Sequence, residues 1–121
     1  MNINLETTNK HAIQAYSPTQ IKINSVNYEQ NIIVCNEAIE SDWSIHRIQD
    51  LNENTLAPLL SYQPEIIIIG HSLPGQFPPA SIIQKINSQK IGLESMSIGA
   101  ACRTYNVLLS ENRRVVLGIL F

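Results

Sequence analysis

The stretch Glu65–Pro79, EIIIIGHSLPGQFPP, decides the fold of this chain. It contains four consecutive isoleucines, Ile66–Ile69. A continuous β-branched run is typical of a central strand that is covered on both faces. The run ends at Gly70, and the polar residues His71 and Ser72 follow directly. We therefore expect a buried strand that delivers these residues to a loop at its carboxyl end.

A helix is predicted before this strand. Its apolar face consists of Leu56, Leu59 and Leu60. Asn54 is the predicted N-cap, because its side chain can accept hydrogen bonds from the first helical amides. Pro64 ends the helix. Pro58 is compatible with it only in the first turn, because an interior proline removes a hydrogen bond and clashes with the preceding turn.

Two helix–strand units are predicted after the loop 71–78. Pro78-Pro79 opens a helix, since proline suits a first turn, and a short strand follows at 91–95. Ser97 caps a third helix, Asn112 takes the left-handed conformation at its end, and 114–121 is a closing strand. The apolar stripes of the two helices are Ile82, Ile83 and Ile86, and Ala101, Tyr105, Leu108 and Leu109.

These successive crossovers predict a largely parallel sheet. The loops 71–78 and 96–99 would then open at the same sheet edge, where α/β proteins bind their ligands. The N-terminal part is predicted to be β-rich, with strands at 21–23, 26–28 and 31–35, a turn at Asn24-Ser25, and a loop at 36–42.

The sequence therefore predicts one α/β domain over residues 1–121. A β-rich part at about 11–45 forms a hairpin or meander, and a βαβαβ part at about 52–121 forms a central mixed, largely parallel sheet with helices packed on it. The length of 121 residues fits one domain, and 44% apolar and 15% charged residues are typical of a globular chain.

Charge and targeting features exclude several classes of function. The net charge is −2 and no long Lys/Arg run exists, which argues against nucleic acid and anionic membranes as partners. The N-terminus lacks signal-peptide features, and no apolar segment has the length of a membrane span. We predict a cytoplasmic protein with free thiols, no direct membrane insertion, no metal and no cofactor.

The strand–loop junction does not fit a catalytic serine. A nucleophile elbow has the pattern G-x-S-x-G, whereas Gly70-His-Ser-Leu-Pro74 has proline at the second glycine position. We predict a strand followed by a polar turn, and no catalytic residue. His71 could be a base or ligand, since imidazole titrates near neutrality, or an ordinary loop residue.

Cys102 and Arg103 are the second candidate for chemistry. Cys102 is expected near the start of the third helix, where free amides and the helix dipole favour a thiolate. Arg103 adds positive charge and must be exposed, paired or lining a cleft. The same features could bind an anion without chemistry, and a packed, inert cysteine is the simpler alternative.

The second half also resembles a known family. The matching residues are Pro64–Gly70, Phe77-Pro78, Gly92-Leu-Glu-x-Met96 and the string Ala100-Ala-Cys-Arg-Thr-Tyr-Asn-Val-Leu-Leu-x-Glu111 with Arg113-Arg-Val115. They resemble a small single-domain family that includes a mitochondrial assembly factor of respiratory complex I and a human adipogenesis-associated protein. Where the family usually has G-T-G and an Asp, this chain has Gly70-His71-Ser72 and Ser97, so Arg103 loses an acidic partner.

The resemblance implies a compact α/β domain, no established enzyme activity, and a non-catalytic role. We expect a protein-interaction module acting in the assembly or stability of another complex, with a respiratory complex as the narrower reading. The alternative is a small-anion-binding protein or a thiol-dependent enzyme at the sheet edge. A homo-oligomer formed through exposed strand edges also stays open. The predicted ligand or interaction edge consists of Gly70, His71, Ser72, Phe77, Cys102, Arg103 and Asn106.

Overall fold

The computed structural model describes residues 10–73 and 75–121, together with the backbone of residues 3–4. Pro74, on which the argument against a nucleophile elbow depends, lies outside the described residues. The strands are β1 (Ile3–Asn4), β2 (Ala15–Ser17), β3 (Gln20–Ile23), β4 (Val26–Tyr28), β5 (Ile32–Val34), β6 (Ile39–Ser41), β7 (Ile66–His71), β8 (Gly92–Ser97) and β9 (Val115–Leu120). The α-helices are α1 (Glu53–Leu60), α2 (Ala80–Ser88) and α3 (Ile98–Ser110), with a 3-10 turn at Ile48–Asp50.

The strands form two sheets. The N-terminal sheet has the order β1-β2-β3-β4 and is antiparallel throughout. The second sheet has the order β6-β5-β9-β7-β8. Within it, β7 runs parallel to both β8 and β9, whereas β5 is antiparallel to β6 and β9. The predicted α/β domain with a mixed sheet and an N-terminal meander is confirmed.

The central strands β5, β9 and β7 of the five-stranded sheet are buried on both faces. Successive residues of its strands alternate between two apolar clusters, as the two-residue period of a strand requires. Ile68 and Leu117 belong to the cluster that contains α3 and the N-terminal sheet. Ile69 and Val116 belong to the cluster that contains α1 and α2. The molecule therefore has layers on both sides of β7, as the four isoleucines predict.

The β3–β4 and β5–β6 hairpins have short connections. Asn24 and Ser25 have positive φ angles of 51° and 67°, the conformation of a two-residue type I′ turn, and the predicted turn is confirmed. The prediction of a loop at 36–42 is wrong, because Ile39–Ser41 is the strand β6. Hydrogen bonds between the backbones of Cys35 and Ala38 fold this segment back on β5.

Helix α1 begins two residues earlier than predicted. The Asn52 side chain, not that of Asn54, accepts hydrogen bonds from the first turn, at 2.8 Å from Asn54 N and 3.0 Å from Thr55 N. The Thr55 hydroxyl accepts from Asn52 N at 2.9 Å and completes a capping box. Pro58 consequently lies beyond the first turn, contrary to the prediction. Burial of Leu56 and Leu59 against the sheet stabilises α1 despite the proline in its interior.

Helix α3 begins directly after β8. Ser97 is the last residue of the strand and also the N-cap, as predicted, and it accepts from Ala100 N at 3.3 Å. The predicted loop 96–99 is therefore absent from this junction. At the other end, Asn112 has φ 60°. The amides of Asn112 and Arg113 bond to Leu109 O and Leu108 O, which is the predicted left-handed C-terminal motif.

Asn52→Ala is expected to lower the free energy of unfolding by about 1 kcal/mol, because two amides of α1 lose their acceptor. Urea denaturation followed by circular dichroism measures this loss. Asn54→Ala is the matched control and is expected to change stability by less than about 0.5 kcal/mol. Equal losses in the two variants would show that Asn52 is not the functional cap.

Candidate functional site

An open cavity of about 670 Å³ lies at the carboxyl ends of β7 and β8. Three segments line it: residues 16–18 at the end of β2, residues 71, 72 and 75–77 at the end of β7 and beyond it, and residues 95–99 at the β8–α3 junction. The cavity forms here because two parallel strands end together and their successors diverge, the usual place for ligand sites in α/β sheets. We refer to it below as the edge cavity.

Three of the predicted edge residues line the edge cavity, namely His71, Ser72 and Phe77. His71 is the last residue of β7 and pairs with Ser97 of β8. Its Nδ1 atom is buried without a hydrogen-bond partner among the described residues. Phe77 is 69% exposed, which is unusual for a side chain of its size. These residues make the loop after β7 the more accessible side of the cavity.

Gly70 is a packing residue and does not line the edge cavity. A Cβ atom at this position would lie 2.8 Å from the Cβ atom of Ala101 and 2.8 Å from Cδ1 of Ile119. Both distances are shorter than any real contact, so a side chain cannot be accommodated. The absence of a side chain allows α3 to approach β7 closely.

Of the two alternatives for Cys102, a reactive thiol and a packed one, its position in the structure favours the packed one. Because α3 begins at Ile98, Cys102 is the fifth helical residue, and it is 0% exposed. Burial raises the pKa of the Cys102 thiol to about 12, and the charge of Arg103 offsets this only in part. The thiol is protonated and packed in the core, so it cannot act as an accessible nucleophile.

Arg103 lies beside the edge cavity. Its Nη1 atom donates a hydrogen bond to the Tyr16 hydroxyl, and its guanidinium lies 5.8 Å from the centre of the Tyr16 ring. Tyr16 in turn packs over Gly99, where a Cβ atom would lie 2.8 Å from the ring. No carboxylate of the described residues forms an ion pair with Arg103. Its charge is therefore uncompensated at the rim of the cavity.

Asn106 connects α3 to the N-terminal sheet and does not line the edge cavity. Its Oδ1 atom accepts from Ile13 N at 2.9 Å, and its Nδ2 atom donates to Ile13 O at 2.9 Å. The neighbouring Tyr105 hydroxyl donates to His11 O at 3.0 Å. The Asn106 side chain thus forms two hydrogen bonds with the backbone of Ile13, as a residue of a neighbouring strand would. Its role is to hold two parts of the fold together.

The predicted segments 71–78 and 96–99 include the cavity residues Met96 and Gly99, but sequence reasoning missed the contribution of Tyr16, Ser17 and Pro18 from the N-terminal sheet. Tyr16 belongs to the β2–β3 hairpin, whose turn lies at Pro18-Thr19 and is signalled in the sequence by the dipeptide Ser17-Pro18. Nothing in the sequence shows that this hairpin packs on α3, because the contact between Tyr16 and Arg103 spans 87 residues.

Comparison with known proteins identifies relatives over most of the chain. Residues 13–120 match the family described as "Protein of unknown function (DUF498/DUF598)". A 13 kDa major membrane protein from Francisella tularensis is 34% identical over 84 residues, which cover 69% of this chain and 68% of that protein. No helix in the described part of the chain has the length and apolar content needed to cross a membrane.

Two further relatives extend the comparison. NADH dehydrogenase [ubiquinone] 1 alpha subcomplex assembly factor 3 from Drosophila melanogaster is 29% identical over 82 residues, which cover 64% of this chain but only 42% of that protein. A Xanthomonas campestris protein of known NMR structure is 31% identical in sequence. The match covers 91% of this chain and 83% of that protein, with a TM-score of 0.82. The predicted family resemblance is confirmed.

The Cys102 thiol is expected to resist alkylation in the native state. With a pKa of about 12, roughly one thiol in 10,000 is ionised at pH 8, against roughly a quarter for a free thiol of pKa about 8.5. In a Cys35→Ser background, we expect iodoacetamide to react at least about 100-fold more slowly with native than with urea-unfolded protein. Equal rates, or a titration near or below pH 8.5 in the native protein, would contradict this assignment.

Asn106→Ala is expected to lower the free energy of unfolding by about 2–4 kcal/mol, because both backbone groups of Ile13 lose their partner. Denaturant unfolding with fluorescence of Trp43 as the probe measures the change. Val107→Ala, on the exposed side of the same helix, is the matched control with an expected change within about 0.5 kcal/mol. A loss below about 1 kcal/mol in Asn106→Ala would show that water replaces the amide.

Proposed function

Because this chain belongs to the family of unknown function DUF498/DUF598, we propose that it is a non-catalytic protein-binding module acting in the assembly or stability of another complex. One relative is named as an assembly factor of NADH dehydrogenase. A respiratory complex is therefore the first partner to test. The proposed setting is the cytoplasm, where contact with a membrane complex would be made through a protein partner.

The observation that carries this proposal is the exposed apolar surface of the loop after β7. Leu73 is 53% exposed and Phe77 is 69% exposed. Both lie in the segment between β7 and α2, and large exposed apolar side chains in one segment are candidates for an interaction site. Aromatic side chains are also over-represented among the residues that dominate binding energy. We call Leu73 and Phe77 the apolar loop pair.

The neighbouring edge strand supports the same proposal. β8 is the last strand of its sheet, and its outer side has no strand partner among the described residues. Its unpaired backbone groups can accept an added strand from another protein. Ser95 and Met96 of β8 line the edge cavity together with Phe77, so an added strand would lie near Phe77.

The arrangement of nucleophilic groups favours binding over catalysis. Cys102 is inaccessible, and acyl transfer requires a nucleophile within hydrogen-bond reach of a base. Within the part of the chain that the structure describes, His71 makes no hydrogen bond to a hydroxyl or thiol. Ser72 also follows the strand in a loop, without the strand-to-helix turn of a nucleophile elbow.

Affinity purification of the tagged protein from its own cells, with a salt wash, tests the proposal. We expect a stoichiometric protein partner, whose affinity is then measured with purified components. Leu73→Ala is expected to weaken binding about tenfold, the usual effect of removing an important apolar contact. Val107→Ala, which truncates a side chain that is 55% exposed on α3, is the matched control and should bind as the wild type does.

Repeated recovery of the protein alone, or only of its own copies, would contradict the proposal. Equal affinities of the wild type and Leu73→Ala would show that the partner binds elsewhere. Loss of binding in Val107→Ala as well would exclude a specific role for the apolar loop pair.

A further inference from the structure

We propose that the edge cavity binds a small organic carboxylate with an apolar body, held by Arg103 at the rim. This inference does not rest on protein binding by the apolar loop pair, although Phe77 belongs to both surfaces. It concerns a cavity within one molecule and can be tested with the purified protein alone.

The size and lining of the cavity are those of a small-molecule site. Its volume of about 670 Å³ falls within the usual range of about 300–1,000 Å³ for ligand pockets. Met96, Ile98 and the ring of Phe77 provide apolar lining. Ser72 and Ser97 add hydroxyl groups at separate points. Apolar walls with a few polar groups favour a ligand whose body is hydrocarbon and whose polar part is small.

The charge around the cavity favours an anion. No aspartate, glutamate or lysine occurs among the described residues that line it. Arg103 is exposed and has no carboxylate partner in the described part of the chain. It lies close to the cavity residue Gly99, because a Cβ atom on Gly99 would be 3.3 Å from its Nη1 atom. The first turn of α3, which begins at Ile98 in the wall, adds partial positive charge.

The number of cations favours a carboxylate over a phosphate. One guanidinium carries a single charge and presents donors in the fork geometry that matches a carboxylate. Its Nη1 atom already bonds Tyr16, which orients the group and leaves other donors free. A doubly charged phosphate would require further cationic groups. His71, whose Nδ1 atom has no partner among the described residues, also lines the cavity.

Paired probes test the proposal on the full-length wild-type protein. Octanoate and 3-phenylpropanoate are titrated by NMR, and their neutral amides, octanamide and 3-phenylpropanamide, are titrated in parallel. We expect saturable binding of at least one carboxylate, at least about tenfold tighter than its amide, with shifts at residues 16, 96 and 99. Acetate, which has the charge but no apolar body, is expected to bind at least about tenfold more weakly than octanoate.

Variants separate the two parts of the ligand. Arg103→Gln is expected to weaken carboxylate binding about tenfold and leave amide binding unchanged, since only the charge is removed. Arg113→Gln is the matched control, because Arg113 pairs with Glu65 at the amino end of β7, away from the cavity. It should bind both probes as the wild type does.

Absence of saturable binding by either carboxylate in the millimolar range would overturn the proposal. Equal affinities for carboxylate and amide in the wild type would also overturn it, whether or not Arg103→Gln folds. If Arg103→Gln folds and binds octanoate as tightly as the wild type, the anion is held elsewhere. None of these results depends on a protein partner, so failure here is distinguishable from failure of the assembly proposal.

Discussion

The hydrogen bonds between α3 and residues 11–13 are the constraint on which the site depends. The amide of Asn106 satisfies both backbone groups of Ile13, and the Tyr105 hydroxyl satisfies the carbonyl of His11. Buried backbone groups need such partners, because an unsatisfied one costs about 1–3 kcal/mol. These bonds hold the N-terminal sheet on α3, so Tyr16 lies over Gly99 and one wall of the edge cavity is complete.

The other walls follow from the architecture of the second sheet. β7 and β8 run parallel and end at the same edge, so the loop after β7 and the start of α3 must lie side by side. Gly70 lets α3 approach β7 closely, and α3 begins directly after β8 without an intervening loop. The same edge presents the apolar loop pair, the open side of β8 and the cavity. The binding surfaces proposed here share that common origin.

Local sequence patterns predicted the strands, turns and helix ends well, because these features depend on interactions between residues that are close in sequence. The isoleucine run, the Asn24-Ser25 turn, the Ser97 cap and the Asn112 C-terminal motif depend on neighbouring residues and are confirmed. The sequence left Cys102 open between a reactive and a packed thiol, because its environment depends on contacts distant in sequence. The N-terminal sheet belongs to the apolar cluster that encloses it, and no local pattern indicates that cover. The roles of Tyr16 and Asn106 were missed for the same reason, since their partners lie 87 and 93 residues away.

The pairing of Ile13 with Asn106 also has a consequence for the order of folding. A contact that spans 93 residues closes a long loop, and its entropic cost is met before the contact contributes stability. During synthesis, the N-terminal sheet emerges long before α3 and must remain without its cover until the helix has left the ribosome. The edge cavity is thus among the last features to form, and a probe that occupies it would report completion of the whole fold rather than of any one segment.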